Sequence, residues 1–238
     1  MATAGKMNMT VKGVAAAIYG MVLEAHAQRQ ESTMTLTPQT PSAQYGVFRS
    51  TNFVYHSRVP TFKEVYTYIY KLFRKAQVEP ECLVAAIIYL QAFLALPHGL
   101  RITSETWERL TFVFIMIASK VWDDISCSSR SFALCASDFS LRDLNTMERV
   151  VSRDLGFNYF LTANDYKEFY YRLKDIWLNL TLTESMDIIP KSKVPAPIDG
   201  ELWGMKYVFL HSWPGTRKDE RVERMDLPVI KERLPIAP

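Results

Sequence analysis

The 238-residue chain is 48% hydrophobic and 22% charged, with a formal net charge of +3, enough apolar material for one sizeable core or two small ones. It has no concentrated basic tract of the kind that drives phosphate binding, so nucleic acid is not an expected partner. No run reaches the roughly 18 apolar residues of a membrane span, and the longest candidate, "LVAAIIYLQAFLAL", is interrupted by Gln91.

Glycine is scarce while aromatics reach 13%, and the long apolar stretches have helical rather than alternating period, which makes an all-α fold the expectation. Taken from the N-terminus, Lys6 and Lys12 precede the apolar run "VAAAIYGMVL", and Ala25-His26-Ala27 has the form of a cleavage site. Two readings follow: a signal peptide, or an amphipathic helix over residues 1–30 whose stripe is Val11, Val14, Ile18, Met21, Val22 and Ala25. Residues 31–59 read as a linker. Within it Thr37-Pro38 and Thr40-Pro41 are candidates for proline-directed phosphorylation, with ordinary turn chemistry as the competing reading.

From residue 60 to 180 helix signals recur. Thr61-Phe62-Lys63-Glu64 is a capping box, and Pro80 fits the first position of a helix that is apolar on nearly every side and therefore central. A third helix is expected over 104–122, a short one over 130–136, one over 141–156 capped by Ser140-Leu141-Arg142-Asp143, and another after Thr162-Ala163-Asn164-Asp165. Residues 181–238 form an irregular tail with Trp203, Tyr207, Phe209 and Trp213 as anchors.

Two positions break these patterns. At about 100° per residue, Glu148 falls on the apolar sector of Leu141, Leu144, Val151 and Leu155, where a carboxylate needs a cation or must lie at the edge. In the third helix Lys120 lines up with Arg109, Val113 and Met116 and is the natural partner for Glu148; the competing reading leaves both solvated. Phe112, Val113 and Met116 predict one uncovered apolar side suited to a partner, the alternative being cover by the N-terminal helix or the tail. Asp123 and Asp124 stand at the negative end of the helix dipole, so something else must favour them there.

The stretch "FIMIASKVWDD" (114–124), followed by "Met147-Glu148-Arg149" and "Leu155-Gly156-Phe157-Asn158", resembles the cyclin box. The Ala-Ser-Lys sequence is general to cyclins, and Lys-Val-Trp-Asp-Asp is similar to the cyclin Y group, with the phosphate-regulon (P/U-type) cyclins behind it. The likeness covers about residues 60–176. It implies a single five-helix cyclin box with an extra N-terminal helix and a following C-terminal helix. It implies binding and allosteric activation of a cyclin-dependent protein kinase, a PFTAIRE-type kinase above others. Lys120 and Glu148 match the pair on the kinase-binding face, and Ile117, Val121 and Phe157 match apolar positions packing on the kinase's C-helix. Asp123 and Asp124 either face kinase arginines or cap the next turn.

The chain departs from that group in having Ala2 where a myristoylated Gly would stand, so no membrane anchor is carried over. Ser152 occupies a usually apolar position, and the Met-Arg-Ala-Ile-Leu docking motif of cell-cycle cyclins is missing. Cys82, Cys127 and Cys135 and the four histidines lack metal-ligand spacing, which reads as reduced thiols in the cytosol or nucleus with no zinc and no other cofactor. With no phosphate-binding Gly loop and no nucleophile beside a base, an enzyme is not expected. A cyclin-fold scaffold and a transcription-factor-like module stand as the alternatives to a kinase activator.

Overall fold

The computed structural model describes residues 2–32, 43–50, 58–98, 100–124, 127–135 and 140–184, all within the unit Met1–Ala196. Seven α-helices and one 3-10 turn make up its regular structure: α1 (Ala2–Ser32), the turn Ala43–Phe48, α2 (Phe62–Ala76), α3 (Pro80–Leu94), α4 (Trp107–Trp122), α5 (Ser129–Ala133), α6 (Leu141–Asp154) and α7 (Ala163–Glu184). No strand occurs among the described residues, and the all-α expectation holds. Thr37, Thr40 and the anchors Trp203, Tyr207, Phe209 and Trp213 lie outside the described residues.

Local chemistry sets most helix starts. Thr61 Oγ1 accepts from the Glu64 amide at 3.3 Å while Glu64 Oε2 accepts from the Thr61 amide at 2.8 Å, and the same reciprocal cap joins Ser140 to Asp143 at the head of α6. Such a box satisfies two of the amide donors that a helix start leaves open. Pro80 opens α3 without losing a bond that the helix needs. Thr162 and Asp165 cap α7. α4 begins at Trp107, three residues later than the periodicity predicts. The reason is a polar turn in which Thr106 Oγ1 accepts from the Thr103 amide at 2.8 Å and donates to the Arg101 carbonyl at 2.8 Å.

α3 and α4 pack side by side and form the centre. Every residue from Cys82 to Leu90 is buried, as is every residue from Trp107 to Ser119, and Phe93 meets Phe114 with ring centroids 5.5 Å apart. α1 packs against α7, α2 and α3. The stripe residues Val11, Val14, Ile18 and Val22 are buried, but so are Ala15, Ala16 and Ala17 on the other flank. The one-sided stripe is thereby corrected: three neighbours bury more than one face. Gly13 allows the closest approach, for a Cβ there would stand 2.8 Å from the Leu173 carbonyl oxygen.

The expected 31–59 linker is also more than a connection where it is described. Tyr45 and Phe48 are buried, Arg109 Nη1 donates to the Val47 carbonyl at 2.8 Å, and the Ser50 amide donates to the Glu105 carbonyl at 2.6 Å. Two aromatic anchors were enough to dock a polar segment against the helices.

Candidate functional site

Lys120 in the last turn of α4, Ser129 at the start of α5 and Glu148 midway along α6 converge at one place. Lys120 Nζ donates to Glu148 Oε1 at 2.6 Å and to Ser129 Oγ at 2.6 Å, and Ser129 Oγ donates to Glu148 Oε2 at 3.2 Å. Both charged side chains are 26% exposed, neither sealed in nor fully solvated. The sequence reading that paired Lys120 with Glu148 agrees with this geometry; Ser129 was missed. Nothing in a helical pattern signals it, since it belongs to a helix that carries neither member of the pair. Its position is fixed from both sides: Ser128 caps α5 by accepting from the Ser131 amide at 3.2 Å, and Phe132 is buried edge-on against Phe112, 6.1 Å between centroids.

The residues after Lys120 divide between inside and outside. Trp122 Nε1 donates to Tyr89 Oη at 2.8 Å, and that hydroxyl donates to the Tyr159 carbonyl at 2.7 Å. Burial pushes the Tyr89 phenol up to about 12, so it stays a neutral donor. Asp123 turns inward: its Oδ2 accepts from Ser119 Oγ at 2.5 Å and its Oδ1 from Cys82 Sγ at 3.0 Å. These two donors explain why an acid is tolerated at this helix end; one lies a turn back in the same helix and the other in α3, and neither belongs to the next turn, which the capping reading required. Asp124 is exposed.

The apolar candidates also separate. Val113 and Met116 are fully buried and Ile117 nearly so, with Phe112 alongside them under Phe132. The uncovered side expected of this helix is therefore corrected, because α3 and α6 pack on it together with α1 and α2, while Phe132 of α5 meets Phe112, and these side chains are left to the core. Val121, 45% exposed, and Phe157, 71% exposed, do face outward.

Phe157 owes its position to how α6 ends. Gly156 at φ +60° donates its amide to the Arg153 carbonyl at 3.0 Å, and the Phe157 amide donates to the Ser152 carbonyl at 2.8 Å, the paired bonds of a Schellman motif. Such motifs usually pack the residue in Phe157's place back onto the one in Ser152's place. Here that residue is a serine whose Oγ accepts from Tyr159 Oη at 2.7 Å, and Phe157, itself at φ +57°, projects away. Phe160, 80% exposed, extends the same loop and was not singled out from the sequence.

Among the described residues no group of three or more His, Cys, Asp or Glu is arranged to hold a metal ion, and no helix is long and apolar enough to cross a membrane. What the site can do is present an oriented ammonium, with exposed Val121 following it in the chain, which suits recognition of a polypeptide.

Comparison with known proteins gives a family match and several relatives. The family model "Cyclin" matches residues 13–159, taking in α1 from Gly13 and stopping before α7. Cyclin-U4-1 of Arabidopsis thaliana is 27% identical over 141 residues, 59% of this chain and 68% of that protein. Cyclin-U2-1 of Arabidopsis thaliana is 27% identical over 133 residues, 56% of this chain and 59% of that protein.

Proposed function

The chain belongs to the cyclin family, and from that membership we propose that it is a regulatory subunit that docks on a cyclin-dependent protein kinase and activates it allosterically. The single observation that carries the reading is the half-open Lys120–Glu148 pair, 2.6 Å between Nζ and Oε1, with Val121 and Phe157 exposed. A solvated surface pair would be worth only about 0–1 kcal/mol to the fold. A lysine fixed by the chain's own carboxylate, with a donor to spare, is suited to grip backbone carbonyls near the kinase's C-helix. Val121, next to Lys120 in the chain, and Phe157 are exposed and supply the apolar contact in this reading. Val113, Met116 and Ile117 act from beneath, as the packed floor that holds α4 rigid.

Docking of this kind favours the kinase conformation whose own Lys–Glu ion pair is formed and whose activation loop is open, a state the free kinase populates weakly. The motif Lys120-Val121-Trp122-Asp123-Asp124 supports a cyclin Y-like assignment within the family, and with it a PFTAIRE-type kinase as partner, in the cytosol or nucleus. Asp124 is exposed, which supports its reading as a residue that meets a kinase arginine.

The test is a reconstitution of the purified chain with a PFTAIRE-type kinase, reading complex formation and substrate phosphorylation. Lys120→Ala and Glu148→Ala are expected to abolish the complex while circular dichroism stays that of the parent. Complex formation without gain of kinase activity would replace the activator with a scaffold, and undiminished binding by both variants would refute the docking face.

A further inference from the structure

We propose that Ser129 is a positioning residue for the partner contact, holding the Lys120 ammonium in the direction from which it reaches an acceptor on the kinase; this rests on the docking reading above. A lysine ammonium carries three donors on a flexible four-carbon stem, so a single carboxylate contact lets it pivot. At this site two of the donors have separate acceptors, Glu148 Oε1 and Ser129 Oγ, both at 2.6 Å. The serine hydroxyl passes its own hydrogen to Glu148 Oε2 at 3.2 Å, which closes a ring through both carboxylate oxygens. Each group then polarises the next, and the arrangement has one geometry rather than several.

Ser129 itself cannot drift. The cap from Ser128 and the burial of Phe132 against Phe112 fix the short helix that carries it, so the hydroxyl is anchored to the core while the ammonium is not. With two donors fixed, the third is directed by elimination, and it is the one left for a partner acceptor. The acceptor class this suits is a peptide carbonyl, which takes one directed hydrogen bond from a fixed donor. A residue without a hydroxyl at 129 would leave the Lys120–Glu148 contact in place and remove only its direction.

The experiment compares Ser129→Ala and Ser129→Thr in the full chain with the parent and with Lys120→Ala. Affinity for a PFTAIRE-type kinase is measured by calorimetry, and the Lys120 ammonium is followed in the free protein by NMR of 15N-labelled lysine. Ser129→Ala is expected to weaken binding by about three- to tenfold, the scale of one hydrogen bond, and to average the Lys120 ammonium signal. Ser129→Thr, which keeps the hydroxyl, restores both, whereas a merely structural role would show as a lowered Tm that Thr does not repair. Unchanged affinity or an unchanged ammonium signal in Ser129→Ala, with Lys120→Ala still abolishing binding, overturns the proposal and leaves the docking reading standing. If Lys120→Ala binds as the parent does, the docking reading falls and this inference falls with it.

Discussion

The Cys82 thiol donates to Asp123 Oδ1 at 3.0 Å and so ties the first turn of α3 to the residue that ends α4. Burial pushes this thiol well above its ordinary range, and the adjacent carboxylate pushes it further the same way. The thiolate is the reactive form, so Cys82 is inert while folded. Treatment of the native chain with a disulfide reagent at pH 8 is expected to modify the half-buried Cys127 and Cys135 and to reach Cys82 only in denaturant. Because burial is the larger cause, Asp123→Ala leaves Cys82 slow; three thiols reacting together in the parent would contradict the packing described.

Phe157 holds a left-handed backbone that costs a residue with a Cβ about 1–2 kcal/mol, yet its ring is 71% exposed and returns little burial. Phe157→Gly removes that strain, offset by the roughly 0.5–1 kcal/mol of extra chain entropy that glycine loses on folding. Urea unfolding is expected to show equal or slightly higher stability, while kinase affinity drops. A variant clearly less stable than the parent would mean that the ring packs in solution and is not held out for a partner.

Gly13→Ala tests the α1–α7 approach. Alanine gains up to about 1 kcal/mol in helix propensity over glycine, but its Cβ would stand 2.8 Å from the Leu173 carbonyl oxygen and 3.3 Å from its carbon, and backbone cannot step aside as a side chain can. Overpacking of this kind typically costs about 1–3 kcal/mol, so the clash wins and Tm falls. A rise in Tm would place the two helices further apart than described.

Glu64 predicts a pH dependence. The Arg58 guanidinium beside it holds its carboxyl down at about 2, against an ordinary value of 4.5. With the folded value depressed, the folded state releases this proton more readily than the unfolded chain does. The contribution is therefore fully present above pH 4.5 and is lost as the pH falls toward about 2. Glu64→Gln is expected to flatten the stability profile within that window and to leave its neutral portion parallel to the parent's. Identical acid limbs in urea titrations at several pH values would remove Glu64 from the account.

What could be read from the chain alone was whatever one helix decides by itself. The boxes at Thr61–Glu64 and Ser140–Asp143 and the proline opening α3 are local, and the structure keeps each of them. The Lys120–Glu148 pair was legible because each member broke its own helix's pattern. Burial of Val113 and Met116 was not, since a wheel gives their angle but not the number of neighbours waiting there. Asp123 misled for a related reason: its thiol partner lies in the first turn of α3, on another helix, and its hydroxyl partner Ser119 lies a turn back rather than in the turn ahead. Ser129 required knowing where α5 lies against α4 and α6.

The close seat of Gly13 on Leu173 also has a bearing on synthesis. α1 leaves the ribosome about 160 residues ahead of the helix against which it fits tightest, a delay of about ten to thirty seconds at ordinary elongation rates. Through that interval its valines and isoleucine have only the part of their seat that α2 and α3 supply, until α7 emerges to complete the clasp.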